Sequence, residues 1–316
     1  MNSLKVLVAT PPWRIGAAIG MLAAACGDPL KDPALIEEPR VLGARLETEG
    51  DADRATPRPG ERATVQWILA SPAADDGADV GWAFAACKAE PTSRGVPFCQ
   101  GRVFAQARGR GEPRFPFLLP EGAAEAGDRL LVWGGFCLGG EPTSDATRGG
   151  LADFACRNGV EALRVDYVGE VGSADRANHN PSFGRAHLAW DGQSWAPSAG
   201  ALGEACSPQD PRVVAGSKHE LRVRASTRDR EPLAQDSELD PSRETLALSH
   251  VVSAGELERP WSFIDPEDRR SEFSVTWNAP ETVSAAGQRV RFYLGLRDLR
   301  GGADFTTRDV CVVRDR

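Results

Sequence analysis

The chain has 316 residues, 37 Lys plus Arg against 45 Asp plus Glu, and a formal net charge of −8. This acidic balance, with no clustered basic face, argues against a body that binds nucleic acid. A hydrophobic content of 41 % is enough to give each of two domains a core. Arginine outnumbers lysine thirty-three to four. The arginines are scattered among acids, which reads as a GC-rich coding bias rather than as anion recognition by guanidinium groups.

The N-terminus, "MNSLKVLVATPPWRIGAAIGMLAAAC", carries Lys5 and Arg14 and no acid. An apolar run from Ile15 to Ala25 follows and ends in Ala23, Ala24 and Ala25. A charged start, a short apolar run and small residues at its end describe a secretory signal peptide over residues 1–25. The run is too short for a transmembrane helix, and no other run is long enough. Leu22-Ala23-Ala24-Ala25-Cys26 resembles the lipobox of a bacterial lipoprotein signal, with Ala23 where the commonest lipobox has Leu. The resemblance implies a diacylglyceryl thioether on Cys26 and an acylated amino group. Two or three acyl chains anchor a protein to a lipid bilayer stably, where one binds only marginally. Gly27 after the cysteine, in place of Asp, implies delivery to the outer membrane of a Gram-negative bacterium. Removing residues 1–25 from 316 leaves 291, and loss of Lys5 and Arg14 takes the charge from −8 to −10.

Residues 26–39 read as a lipidated tether, because "GDPLKDPALIEEP" is rich in Pro and acid and has no amphipathic period. Extended in polyproline style it would reach roughly 40 Å. Strand signals follow at 40–47, 62–70, 80–86, 102–108, 115–119, 128–136 and 160–168, separated by Gly, Pro and Asp clusters. Seven short strands in such a span predict a β-sandwich over 40–168. "GEVGSADRANHNPSF" (169–183) is polar and turn-rich and reads as the link to a second domain, 184–316.

That domain opens on a hairpin signal, Asp191-Gly192 between two short runs. Strands are predicted at 218–226, 243–252, 271–280, 288–298 and 306–313. In 288–298, Val290, Phe292, Leu294 and Leu296 alternate with Arg291, Tyr293, Gly295 and Arg297, so one face is expected on a core and a mixed face toward solvent. Trp277 with Pro280, the strand ending at Asp298, the Gly301-Gly302 turn and the closing strand resemble bacterial Ig-like and PKD-type modules. The expected fold class is all-β, with two Ig-like antiparallel β-sandwich domains.

Seven cysteines are odd in number. With Cys26 lipidated, Cys87, Cys99, Cys137, Cys156, Cys206 and Cys311 remain, an even set that suits an oxidising compartment. Sequence permits fifteen pairings, and spacing suggests Cys87–Cys99, Cys137–Cys156 and Cys206–Cys311. Loops of these sizes would each contribute about 3 to 5 kcal/mol in the chain-entropy picture. There is no CxxC and no close histidine pair among His179, His187, His219 and His250, so neither structural zinc nor a redox dithiol is expected.

Motifs for catalysis are also missing: no GxSxG, HExxH, Walker A loop or GxGxxG before a helix occurs. No catalytic residue, metal or cofactor is assigned. "DPEDRR" (265–270), "EGDADR" (49–54) and "DDGAD" (75–79) read first as acid-rich turns and only second as calcium ligands. Arg108, Arg110 and Arg114 read as a solvated loop. Trp190 and Trp195 flank the tight turn; they are weak candidates for stacking on sugars or a partner, against packing across the hairpin. The polar stretch 227–243 is the first choice for a partner-binding loop. The expected function is that of a non-enzymatic, membrane-anchored envelope lipoprotein that binds an unknown envelope protein or polysaccharide. An adhesin or glycan-binding lipoprotein is the alternative, and a secreted hydrolase with groups converging near His179, His187 or His250 comes last.

Overall fold

Alternating apolar residues between turn-forming clusters become strands nearly everywhere the pattern occurs. The computed structural model describes residues 31–315, except 73–79, 91–96, 144–153, 158–160, 174–176, 199–204 and 233–242. The signal peptide, Cys26, the acidic turn 75–79 and the centre of the 227–243 loop lie outside the described residues. Met1–Asp32 is one unit and Pro33–Arg316 another, which holds all the structure described below.

The first seven strands are β1 (Arg40–Thr48), β2 (Arg62–Ala70), β3 (Val80–Lys88), β4 (Ala105–Arg110), β5 (Arg114–Leu118), β6 (Arg129–Leu138) and β7 (Ala162–Glu170). They form a three-stranded sheet, β1-β2-β5, and a four-stranded sheet, β4-β3-β6-β7, with antiparallel pairs throughout. Their inner faces meet around Leu46, Val65, Trp67, Phe84, Phe115 and Phe136. Trp67 stacks on Phe84 with ring centroids 3.8 Å apart, which adds specific aromatic attraction to area burial.

The outer face of the four-stranded sheet is also covered, and the disulfides explain how. Cys87–Cys99 pins one loop over Ala85, Leu131 and Trp133. Cys137–Cys156 pins a second, which seats Phe154 on Ala83. Each bridge thus fixes a small satellite core under a loop that would otherwise leave apolar strand residues wet.

The second set of strands begins with β8 (His187–Trp190), β9 (Gln193–Ser194), β10 (Arg212–Val214), β11 (Lys218–Arg224) and β12 (Leu246–Val252). It continues with β13 (Glu256–Leu257), β14 (Trp261–Ile264), β15 (Glu272–Asn278), β16 (Gln288–Arg297) and β17 (Ala303–Val313). Two five-stranded sheets result, β10-β17-β16-β12-β14 and β13-β15-β11-β8-β9. All pairs are antiparallel except β10 with β17, which is parallel. Cys206–Cys311 ties β17 to the segment entering β10 across 105 residues of sequence. The three pairings suggested by spacing are the three bridges formed. Trp190, Trp195, Trp277 and Phe292 form one contiguous aromatic centre of this second sandwich.

Two expectations are corrected. Residues 34–36 are not tether: Ala34 and Ile36 are buried, and the segment pairs with Val252 of β12. The apolar Ala-Leu-Ile run, short as it is, has a groove to fill. The mixed face of β16 does not meet water. Tyr293 joins Ile36, Ala70 and Val251 in a cluster, and Arg291 is buried against Asp309 at 2.9 Å. Within the polar stretch 169–183, Asn178 and Asn180 are buried.

Those asparagines hold the two sandwiches together. Asn180 donates from Nδ2 to the Leu46 carbonyl of β1 at 2.8 Å and accepts at Oδ1 from the Ala303 amide of β17 at 2.9 Å. Asn178 donates to Asp298 Oδ2 at 2.8 Å, and its backbone pairs with Ala55 and with Thr56 Oγ1. Arg45 adds an ion pair to Asp304 at 3.0 Å. Close approach needs Gly43: a Cβ there would lie 2.5 Å from the Phe305 ring and from the Arg297 guanidinium.

Replacing Asn180 with Ala leaves a buried carbonyl and a buried amide without partners. We expect a loss of about 3 kcal/mol in a denaturant titration, with both sandwiches destabilised in a single transition. A loss under 1 kcal/mol would mean that the seam relaxes around the change.

Candidate functional site

The seam opens on one side into a groove of about 460 Å³, lined by Val41–Ala44 of β1, Arg164–Val168 of β7, Arg297, Leu299 and Gly301–Ala303. A second hollow of about 520 Å³ lies across the Leu299–Gly301 turn, against Gly127, Arg129 and Val168–Glu170. β1 and β7 are the outer strands of their sheets, so the groove runs between two sheet edges. Arg297 crosses its floor, donating to the Leu42 carbonyl with its guanidinium 5.5 Å from the Phe305 ring centroid. Tyr167 donates to the Gly301 carbonyl at 3.1 Å, and burial pushes its phenol above the ordinary range.

The turn between β16 and β17 projects Leu299 into this region, and the sequence "DLRGG" accounts for its shape. Asp298 Oδ1 accepts from the amides of Arg300 and Gly302 at 2.7 and 2.9 Å, and its Oδ2 holds Asn178. That clamp fixes Leu299 at φ +62°, in a left-handed conformation that branched side chains avoid, and leaves it 61 % exposed. A Cβ at position 302 would strike the Asp298 carboxylate, so Gly302 is required for the turn to close.

Beneath the turn lies a buried acidic cluster. Glu244 is buried, ion-paired to Arg300, and accepts from the Glu231 amide at 3.1 Å. Burial, aided by the Asp298 charge, raises its carboxyl to about 7, against the opposing pull of Arg300. Burial also raises Asp298 above its ordinary value. Glu231 receives His179 on one oxygen and faces Arg300 at 3.7 Å on the other.

Arg230, at the edge of this cluster, answers the calcium question. Its guanidinium donates to the carbonyls of Asp265, Pro266 and Asp268 at 2.7, 3.2 and 2.6 Å, and to that of Glu244 at 3.0 Å. The carbonyls of "DPEDRR" therefore converge on an internal cation, while Arg270 binds the Asp268 carboxylate in two-point fashion. No group of His, Cys, Asp and Glu that could hold a metal occurs among the described residues. In "EGDADR", Arg54 is likewise satisfied by Glu61 at 2.8 and 3.0 Å.

The histidines do not converge. His179 lies at the seam, His187 is exposed on β8, and His250 is buried beside Ser262, where burial lowers it to about 4. The fourth, His219, forms a constellation that sequence spacing did not suggest. Ser217 Oγ lies 2.6 Å from its Nε2, and Asp191 Oδ2 lies 2.7 Å from its Nδ1. Serine, histidine and aspartate in this order are the groups of nucleophilic acyl transfer. The surroundings differ from such a site. Ser217 Oγ also donates to the Val214 carbonyl, and the amides of Gly216, Ser217 and Ala279 are all spent on carbonyls. An oxyanion needs free donors near the nucleophile. As arranged, the chain braces the β8–β9 hairpin, whose Asp191 and Gly192 have φ of +47° and +79° as the expected turn requires.

Trp190 and Trp195 are corrected as ligand-stacking candidates: they are 4 % and 3 % exposed. Their ring centroids are 4.8 Å apart inside the core, and Trp195 Nε1 donates to the Asp309 carbonyl. The sequence placed a turn at Gly301-Gly302 but did not single out Leu299; the signal that could have is the Asp298–Gly302 spacing.

No family model matches the chain, and no curated protein is similar to it in sequence. Among solved structures, it is similar to Escherichia coli alpha-2-macroglobulin activated by porcine elastase, at 10 % identity and a TM-score of 0.23, over 87 % of this chain and 22 % of that one. The native conformation of the E. coli protein gives 10 % identity and 0.22, over 87 % and 17 %. A Salmonella alpha-2-macroglobulin mutant gives 11 % and 0.22, over 90 % and 17 %. The chain thus spans about a fifth of the length of these proteins.

Because the folded protein holds the Glu244 proton more tightly than the unfolded chain does, this group stabilises the fold fully below pH 4.5. The contribution is lost as pH rises through about 7, a change of up to about 3 kcal/mol. Glu244→Gln should flatten the stability profile between pH 5 and 8. Parallel profiles for the two proteins in that window would contradict the assignment.

Proposed function

We propose that this chain is a non-enzymatic bacterial lipoprotein, anchored by acylated Cys26, whose two-sandwich body binds another component of the cell envelope. One observation carries the anchoring. The other six cysteines are all consumed in three bridges within the fold, which leaves Cys26 outside that set, directly after a lipobox-like run. Three disulfides fit an oxidising, extracytoplasmic compartment. Among the described residues no helix is long and apolar enough to cross a membrane.

The fold changes the expected reach of that attachment. It begins at Pro33, so six residues separate it from Cys26. Fully extended, six residues span at most about 20 Å, and the body is held close to the bilayer rather than lifted from it. The groove between β1 and β7 is the binding feature we assign to the partner. Its two strand edges and the exposed Leu299 suit an extended polypeptide that pairs along an edge and packs an apolar side chain. The outer membrane of a Gram-negative bacterium is the proposed address, on the strength of Gly27.

The hydrolase alternative rests on Ser217, His219 and Asp191 alone. A fluorophosphonate probe should leave Ser217 unlabelled, and labelling that is lost in His219→Ala would replace the binding reading with an enzymatic one.

Mass spectrometry of the mature N-terminus should find acylated Cys26, and Cys26→Ala should release the protein from the membrane fraction. A mature product that begins elsewhere, or membrane retention unaffected by the substitution, would overturn the anchoring.

A further inference from the structure

A guanidinium withdrawn from water is normally matched by a carboxylate, because an unpaired charge in the interior is costly. The buried arginines of this fold follow that rule or donate to several oxygens. Arg291 meets Asp309 at 2.9 Å and Arg289 meets Asp210 at 3.2 Å. Arg230 donates to the carbonyls of Asp265, Pro266, Asp268 and Glu244. Arg297 on the groove floor differs. Among the described residues its one hydrogen bond is to the Leu42 carbonyl, and no carboxylate lies within ion-pairing distance. Burial alone pushes this guanidinium below its ordinary range, with no opposing charge to restore it.

The position of Arg297 is built by its neighbours. Val41 pairs with Leu69 and Gly43 with Ile68, so Leu42 is an extra residue and β1 bulges there. The Leu42 carbonyl at this bulge is the one that accepts from Arg297. The Phe305 ring centroid lies 5.5 Å from the guanidinium carbon, a cation–π contact. Gly43 leaves the space that a Cβ would take from an Arg297 nitrogen. The remaining N–H groups have no protein partner among the described residues and keep access to the groove that Arg297 lines.

The other charges of the lining do not neutralise it. Arg164 and Asp166 are both exposed, lie two residues apart on β7 and offset one another, which leaves Arg297 as the cation in excess. A second donor is also unspent. Trp67 lines the groove, is 2 % exposed, and its Nε1 has no acceptor among the described residues.

We propose that Arg297 is an anion-recognition point, which binds a carboxylate carried by the polypeptide that occupies the groove. This deepens the groove reading above and rests on it. The planar fork of a guanidinium matches a carboxylate at two points. One excess cation balances one negative charge, and Asp166 beside it would repel a dianion such as phosphate. The apolar walls at Val41, Ala44, Val165 and Leu299 strengthen the pair by keeping water from it. In the free protein the unpaired guanidinium is a cost to the fold, and the arriving carboxylate removes that cost.

The test uses the full-length protein and a library of random hexapeptides, acetylated at the N-terminus and made both with a free C-terminal carboxylate and with a C-terminal amide. Affinity selection read by mass spectrometry should retain peptides that share a carboxylate. Retention of the free-acid form alone assigns a chain terminus, and retention of amides with Asp or Glu at one fixed place assigns a side chain. For the tightest peptide, Arg297→Gln should weaken binding about thirtyfold, and neutralising the peptide carboxylate should cost the same factor in wild type but nothing further in Arg297→Gln. Should Arg297→Gln fail to fold, Arg297→Lys keeps the charge, and loss of the two-point contact should weaken binding about tenfold. Leu299→Ser tests the groove separately and should weaken binding in every case. Peptides that depend on Leu299 but share no carboxylate, or whose carboxylate matters equally with and without Arg297, would overturn the anion point and leave the groove reading standing. No retained peptide, or retention indifferent to both Leu299→Ser and Arg297→Gln, would overturn both.

Discussion

One carboxamide bonds to both halves of this molecule at once. Asn180 reaches β1 with its nitrogen and β17 with its oxygen, so one planar group sets the spacing of strands 123 residues or more from it in sequence. Its geometry is demanding: donor and acceptor must sit on opposite sides, out of water, where any error leaves a polar group unpaired. Around it, Asn178, Arg45 and the Gly43 contact repeat the theme of short polar reach in a tight gap. The apolar cluster of Ile36, Leu42, Ala70, Val251 and Tyr293 supplies area to the same interface. Because β1, β7 and the β16–β17 turn are all fixed to this seam, the groove between them has a set width.

The disulfides act at a different level. Two of the three hold loops against the outer face of one sheet, and the third closes the far edge of the other sandwich. None crosses the seam. Covalent restraint therefore governs the surfaces of each sandwich, and hydrogen bonding governs how the sandwiches meet.

Much of this was legible in the residues. The alternation in 62–70, 218–224 and 288–297, the Asp191-Gly192 turn and the cysteine spacings each specify local geometry by local means. β10, β13 and β14 were not, because two to four residues carry no period to read. The seam was missed for another reason. Asparagine in a polar stretch looks identical whether water or protein satisfies its amide, so 169–183 resembles a solvated link. The short apolar run at 34–36 resembles a tether until β12 presents an edge for it. Ser217, His219 and Asp191 come together through strand pairing of β8 with β11, which no linear spacing announces.

The parallel bridge of Leu35 to Val252 also has a mechanical side. Ala34 and Ile36 hold Val252 by two hydrogen bonds in parallel register, so tension along this segment loads both bonds in shear and they must break together rather than be unzipped singly. Behind them, Arg40 grips the Leu35 carbonyl and β1 continues along its full length against β2. A pull delivered at the front of the chain is thus carried through a shear clip into both sandwiches at once.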